Sequence, residues 1–281
     1  MRQPNLLQRK NIIKTFLYTF LVVGTVLTLF PFLWMFLATF KTEAEIFAVP
    51  PTLMPTSFQF DNYIYVWNSL GNFPRFLFNS VFVTVAVVLL NLFFDSLAAF
   101  AFAKLKFPGR DALFSIFLVT MLVPGQVLLI ELYRIVQKLG WINSYQALIF
   151  PSAISAFGIF LIWQYMKNIP DDFIEAARIE GAGDFMIFWK IYMPLSAPAM
   201  AVLAIFTYIG TWNDFLWPLI VTNSDELRTL VVGLALMQGN NVMHWTWLMT
   251  GAFISVAPVI LFYIIAQKYF IAGLTAGGVK G

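Results

Sequence analysis

Carboxylate and amide side chains inside apolar stretches are the groups in this chain best suited to chemistry. Asp95 and Asp214 each lie within a long apolar run. An aspartate near the centre of a membrane span costs about 2.5–3.5 kcal/mol, so neither is expected to face lipid. Carboxylates and amides bind hydroxyl-rich ligands, and an indole stacks on a sugar face. The candidates for lining a substrate pathway are Asn91, Asp95, Gln126, Trp212, Asn213 and Asp214.

The same polar groups have other interpretations. They could hydrogen-bond one helix to another, or lie close enough to the water interface for burial to cost little. Asp95 and Asp214 would also suit the proton sites of an ion-coupled secondary carrier. His244, the only histidine, is interpreted as a wet interfacial residue rather than a ligand or proton relay.

The residue types also exclude several kinds of site. The chain has no cysteine, which removes disulfides and thiolate metal sites. Gly273 and Gly278 have the spacing of a phosphate-binding loop, but Val279-Lys280 follows instead of Lys-Ser/Thr and no strand is predicted before them. We therefore expect no metal, cofactor or nucleotide site in this chain, and no catalytic residues.

A charged segment, residues 171–194, separates two apolar stretches. It begins Asp171-Asp172-Phe173-Ile174-Glu175-Ala176-Ala177-Arg178-Ile179-Glu180-Gly181-Ala182-Gly183-Asp184 and ends Ile191-Tyr192-Met193-Pro194. From composition alone it also fits an ordinary solvated loop.

Helix signals within the charged segment predict a helix–turn–helix. Pro170 ends the preceding helix, and Asp171 or Asp172 caps a new one. Gly181 suits the left-handed residue that ends a helix, and Asp184 caps the next. The residues predicted to form a short apolar face are Phe173, Ile174, Ala177 and Ile179.

Composition predicts that the surrounding elements are membrane helices. The chain is 60% hydrophobic and only 11% charged, against about a quarter charged in soluble domains. Six runs are long enough to cross about 30 Å of hydrocarbon as helices. The predicted spans lie near 16–38, 77–102, 112–130, 146–166, 197–220 and 248–270, with an interfacial helix within 131–145.

The distribution of basic residues predicts the orientation. With the N-terminus in the cytoplasm, twelve of the 17 Lys and Arg residues lie on the cytoplasmic side, in agreement with the positive-inside rule. Both termini and the charged segment are then cytoplasmic. The five outer basic residues are Lys41, Arg75, Arg134, Lys138 and Arg228.

The charged segment resembles the EAA signature of ABC-importer permeases. Glu-Ala-Ala at 175–177, Gly181, and Ile191, Met193 and Pro194 stand at the expected spacings, with Met193 where leucine is usual. The resemblance implies that the segment contains a coupling helix that docks on a separate ATPase subunit. The residues it assigns to that role are Glu175, Ala176, Ala177, Arg178, Gly181 and Asp184.

Other stretches resemble carbohydrate importers, in particular the second permease of the maltose-transporter type. They are the Trp212–Leu219 run, the 227–234 run and the glycine-rich end at 273–281. This resemblance implies a partner permease, an ATPase pair that holds ATP and Mg²⁺, and an extracytoplasmic binding protein. It also implies that the 221–247 loop, with Asn240 and Asn241, contacts the binding protein.

Together these observations predict an all-α integral membrane protein with the type I ABC importer permease fold and a cytoplasmic coupling helix. One domain spans 1–281, with a core of about 75–270 after an additional span at about 16–38. The predicted function is the non-catalytic permease of an ATP-driven carbohydrate importer in a bacterial or archaeal inner membrane. The alternatives are the same machine importing glycerol phosphate or a peptide, and the secondary carrier.

Overall fold

A computed structural model describes residues 6–69, 72–237 and 244–278 of the chain. In these three ranges the regular secondary structure is entirely helical, as predicted. The α-helices are α1 (Leu6–Ala38), α2 (Glu43–Ile46), α3 (Asp61–Ser69), α4 (Phe73–Lys104), α5 (Arg110–Thr120), α6 (Leu129–Lys138), α7 (Tyr145–Ile149), α8 (Ala156–Lys167), α9 (Asp172–Ile179), α10 (Asp184–Ile187), α11 (Met193–Leu195), α12 (Ala197–Trp212), α13 (Leu216–Val221), α14 (Leu230–Met237) and α15 (Trp245–Gly278). Short 3₁₀ helices span Gly125–Leu128 and Phe150–Ser152, and a π-helix spans Phe188–Tyr192.

The chain divides into two compact units. The first contains Met1–Leu70 and Asn241–Ile254, and the second contains Gly71–Asn240 and Ser255–Gly281. The expectation of one domain over the whole chain stays a prediction.

In the first unit, polar side chains organise the connection that follows α1. Lys41 is 1% exposed, with its Nζ 4.3 Å from the centre of the Trp34 ring. The Glu43 carboxylate accepts hydrogen bonds from the backbone N–H groups of Trp245 (3.0 Å) and Thr246 (3.3 Å). A carboxylate therefore caps the start of α15, where the helix dipole favours negative charge.

In the second unit, α4 is the central helix and packs against α8 and α12. Its apolar residues are distributed around the whole helix, which suits a helix that is buried on several sides. The core beside its C-terminal half includes Phe100 of α4, Ile162 of α8 and Leu203 of α12. Charged-segment residues Ile174 and Tyr192 belong to the same core.

Within the described ranges, four helical stretches are long and apolar enough to cross a membrane. They are Ile13–Ala38, Phe73–Lys104, Tyr145–Lys167 and Trp245–Gln267. Two further candidates are bent pairs: Arg110–Thr120 with Gly125–Lys138, at 90°, and Asp184–Leu195 with Ala197–Trp212, at 78°. The number of spans is six if each bent pair is one span.

The helices in the predicted spans near 112–130 and 197–220 are interrupted, which the sequence does not predict. The first is broken before Pro124, whose ring disfavours helical geometry at the preceding residue. The second is broken after Trp212. There the Asn213 amide donates to the Ile209 carbonyl (2.9 Å), while Asp214 accepts from the Trp217 N–H (3.5 Å). Side chains that bond to nearby backbone in this way end one helix and begin another.

Candidate functional site

The charged segment forms two helices, α9 and α10, separated by a tight turn. Gly181 has a φ of +83°, so the predicted left-handed stop is confirmed. The Ala182 N–H donates to the Ala177 carbonyl (2.9 Å), and the Gly181 N–H donates to the Arg178 carbonyl (3.0 Å). These two bonds form a Schellman motif, which fixes the end of α9.

The predicted caps at the two helix starts are wrong. Asp171 occupies the N-cap position of α9 without a side-chain cap, and its carboxylate instead accepts from the Lys104 Nζ at 2.6 Å. Gly183, not Asp184, is the N-cap of α10. The Asp184 carboxylate accepts from Arg178 at 2.9 Å, across the turn. Ion pairs with basic groups replace capping at both positions.

Only part of the predicted apolar face of α9 is buried within the chain. Ile174 and Ala177 are buried and anchor the helix in the core. Phe173 and Ile179 are 46% and 88% exposed. The outer side of α9 presents the exposed residues Glu175, Ala176 and Arg178 beside Ile179. This surface is shallow and contains small, charged and apolar side chains, and the buried residues Ile174 and Ala177 attach it to the core.

After α10 the chain forms a π-helix and then a sharp bend. The π-helix Phe188–Tyr192 places Phe188 and Tyr192, both fully buried, in the core. Pro194, which lacks an N–H donor, follows two residues later, and the helix axis bends by 78° between Leu195 and Ala197. Ser196 is buried at the bend, and its N–H donates to the Tyr192 carbonyl (2.9 Å).

A stripe of polar residues follows one face of α4. Ser80, Thr84, Asn91 and Asp95 recur at helical spacing, and each is at most 2% exposed. The Asn91 amide donates to the Ser152 carbonyl (2.6 Å), and Asp95 Oδ1 accepts from the Ser155 N–H (3.0 Å).

Asn91 and Asp95 thus satisfy backbone groups in the break between α7 and α8. Gly158 gives the Asp95 carboxylate its space, because a Cβ at Gly158 would lie 2.1 Å from Asp95 Oδ2. These contacts join one helix to another, and a role for the two residues in a substrate pathway stays a prediction.

Asp214 lies at a small polar cavity. The cavity measures about 100 Å³, and the polar residues around it are Ser80, Thr84, Ser152, Thr211, Asp214 and Thr229. Ligand pockets are typically about 300–1,000 Å³, so this space has room for a few waters and is too small to enclose a sugar. Thr229 Oγ1 is buried there without a hydrogen-bond partner.

The other predicted pathway residues are dispersed. Gln126 is exposed in the first 3₁₀ helix, and Asn213 is exposed where α12 ends. Trp212 is buried, with its ring 5.7 Å from that of Tyr208. Asn240 and Asn241, the predicted binding-protein contacts, lie outside the described residues.

Two residues that hold the entry to the charged segment are not among those predicted from the sequence. Lys104, the last residue of α4, has a side chain only 4% exposed, and its Nζ donates to the Ile169 carbonyl (2.6 Å) as well as to Asp171. The Tyr192 hydroxyl donates to the Pro170 carbonyl (3.3 Å). The available signal was a lysine at the end of a long apolar helix, where the helix dipole and free carbonyls attract a cation.

The charges of the charged segment lie at the surface of the protein. Its acids and bases are exposed, and two of the acids, Asp171 and Asp184, form ion pairs. The described residues contain no group of three side chains suited to holding a metal. The exposed side of α9 is a shallow surface that another protein could contact.

Sequence comparisons identify relatives over nearly the whole chain. The family model described as binding-protein-dependent transport system inner membrane component matches residues 96–275. The arabinooligosaccharides transport system permease protein AraQ of Halalkalibacterium halodurans is 36% identical, over 91% of this chain and 92% of its own. The trehalose/maltose transport system permease protein MalG of Thermococcus litoralis is 34% identical, over 97% and 99%. The sn-glycerol-3-phosphate transport system permease protein UgpE of Yersinia enterocolitica is 30% identical, over 96% and 98%.

A solved structure has the same fold. It is the crystal structure of a bacterial ABC transporter involved in the import of the acidic polysaccharide alginate. It matches with a TM-score of 0.83 and 27% identity, covering 95% of this chain and 100% of the other.

Proposed function

This chain belongs to the binding-protein-dependent transport system inner membrane components and is a permease of an ABC importer, and on that premise we propose that its cargo is a carbohydrate. Relatives named for arabinooligosaccharides and for trehalose and maltose support that class, as does the structure of an alginate importer. The relative named for sn-glycerol-3-phosphate makes a phosphorylated polyol the second candidate.

We further propose that α9 is the coupling helix of this permease. The observation that carries the proposal is the division of α9 into a buried base, Ile174 and Ala177, and an exposed surface that contains Glu175, Ala176 and Arg178. A helix anchored in the core moves as one body with it, so a partner that displaces the surface displaces the core. ATP hydrolysis, with its Mg²⁺, is assigned to a separate ATPase pair that binds this surface.

The proposed assembly has two further components. A second permease completes the membrane pathway, and an extracytoplasmic binding protein delivers the cargo. The charged segment and both termini are assigned to the cytoplasm on the distribution of basic residues. Closure of the ATPase pair would open the pathway outward, and its separation would release cargo inward.

The cargo is tested in vesicles that contain this chain, its partner permease, its ATPase and its binding protein. ATP-driven uptake is measured with arabinotriose, maltotriose and sn-glycerol-3-phosphate as probes. Uptake of either oligosaccharide, with glycerol phosphate at background, is the expected result. Uptake of glycerol phosphate alone would overturn the carbohydrate assignment, and uptake of any probe driven by an ion gradient without ATP would favour the secondary carrier.

A further inference from the structure

The end of α4 and the entry to α9 are joined by two side chains that are far apart in sequence. Lys104 donates to the Ile169 carbonyl and to the Asp171 carboxylate, both at 2.6 Å. On the other side, the Tyr192 hydroxyl donates to the Pro170 carbonyl at 3.3 Å. The Lys104 Nζ also lies 5.5 Å from the centre of the Tyr192 ring. We call Lys104 and Tyr192, with the 169–171 backbone between them, the clasp.

Burial indicates which contacts of the clasp matter most. The Asp171 side chain is 73% exposed, and an ion pair with so exposed a partner contributes little. The Lys104 side chain is 4% exposed and Tyr192 is fully buried. Their hydrogen bonds to the carbonyls of Ile169 and Pro170 are therefore the parts of the clasp best shielded from water. Both acceptors belong to the rigid entry to α9, where Pro170 restricts the chain.

From this geometry we propose that Lys104 and Tyr192 are the positioning residues that make α4 follow the displacement of α9. The inference rests on the proposed coupling role of α9. In sequence, α9 is joined directly to α8 and not to α4. Only side-chain packing and the clasp therefore make α4 move together with α9. Because α4 packs against both α8 and α12, a displacement passed through the clasp reaches the centre of the second unit.

The test uses spin labels, since the chain has no native cysteine. Labels at Leu89→Cys on α4 and Glu180→Cys beside α9 occupy exposed positions in the second unit. The full transporter, with cysteine-free partners, is measured without nucleotide and after trapping with ATP and vanadate. With the clasp intact, the distance between the labels stays constant on trapping. In Lys104→Met the distance shifts, and uptake of the accepted probe per ATP hydrolysed falls about tenfold. That size is expected for loss of the shielded hydrogen bond from the charged lysine to the Ile169 carbonyl, since the bond to the exposed Asp171 contributes little.

Two further variants distinguish loss of the clasp from nonspecific disruption of the structure. Lys167→Met removes a lysine at the end of α8 whose Nζ lies 4.9 Å from the Trp163 ring, and it should leave both readouts unchanged. Tyr192→Phe removes only the hydroxyl, and it should shift the distance in the same direction by less. It provides the test if Lys104→Met fails to assemble.

Two results overturn the inference in distinguishable ways. A constant distance in both Lys104→Met and Tyr192→Phe rejects the clasp and leaves the proposed function intact. A photo-crosslinker at Glu180→Cys reports separately whether α9 meets the ATPase. If it never captures the ATPase subunit, the coupling role of α9 fails, and the inference fails with it.

Discussion

At the scale of single residues, the contact between Gly158 and Asp95 determines how closely α8 approaches α4. A Cβ at Gly158 would lie 2.1 Å from Asp95 Oδ2 and 2.8 Å from the Leu203 Cδ1. Asp95 has no room to withdraw, because it is fully buried and its other oxygen is bonded to Ser155. Gly158→Ala should therefore destabilise the fold by about 1–3 kcal/mol through overpacking.

A double-mutant cycle identifies the cause of that loss. In an Asp95→Ala background the closest obstacle is gone and only the flexible end of Leu203 remains, so Gly158→Ala should cost less there, by about 1 kcal/mol or more. The measurement is thermal unfolding of the assembled transporter in detergent. Gly210→Ala, on α12, is the control, because a Cβ there meets nothing within 4 Å. An equal cost of Gly158→Ala in both backgrounds would show that the carboxylate is not the obstacle.

At the scale of secondary-structure elements, the end of α9 gives a test of the coupling surface. Gly181 has a positive φ, but a Cβ there meets nothing within 4 Å, so the chain itself has room for a side chain. Gly181→Trp should insert into the membrane normally and yet lower ATP-driven uptake about tenfold, because overpacking a docked interface costs about 1–3 kcal/mol. Uptake and ATP hydrolysis are measured together in vesicles.

The control for Gly181→Trp is the same substitution at Gly140, a second glycine with a positive φ that lies outside the charged segment. Gly140, after α6, has a φ of +71° and an equally open Cβ position. Gly140→Trp should therefore share the cost of a side chain in the left-handed region, about 1–2 kcal/mol, and keep uptake coupled to hydrolysis. Uptake lost equally in the two variants would assign the defect to strain and not to docking.

The elements also show what the sequence could and could not predict. The apolar runs and the stop at Gly181 follow from local chemistry, and the sequence predicts them correctly. Which residues of the apolar face of α9 are buried, Ile174 and Ala177, depends on the core that packs against them. The breaks before Pro124 and after Trp212 were missed, because hydropathy averages over a window and does not register single backbone bonds. Local sequence predicts a cap at Asp171, because its actual partner, Lys104, lies 67 residues away in sequence.

At the scale of the whole molecule, the bent pair Arg110–Thr120 and Gly125–Lys138 determines the topology. Helices meeting at 90° are either one broken span or a re-entrant loop. The positive-inside prediction requires a span, since it places the loop at Lys106 and the charged segment on the same side. If the pair instead enters and leaves by one face, only the Tyr145–Lys167 span separates Lys106 from α9, and the two would lie on opposite sides. The contacts of Lys104 with Ile169 and Asp171, both at 2.6 Å, place the end of α4 beside the entry to α9 and therefore also favour a span.

Single cysteines in this cysteine-free chain distinguish the two topologies. Lys106→Cys, Leu139→Cys and Ile179→Cys occupy exposed positions before the bent pair, after it and at the end of α9. With a membrane-impermeant maleimide on intact spheroplasts, we expect labelling at Leu139→Cys alone, and labelling at the other two only after permeabilisation. Labelling of Ile179→Cys from outside, with Leu139→Cys protected, would make the pair a re-entrant loop. It would also move α9 to the face opposite the ATPase, so a cytoplasmic coupling surface requires the bent pair to cross the membrane.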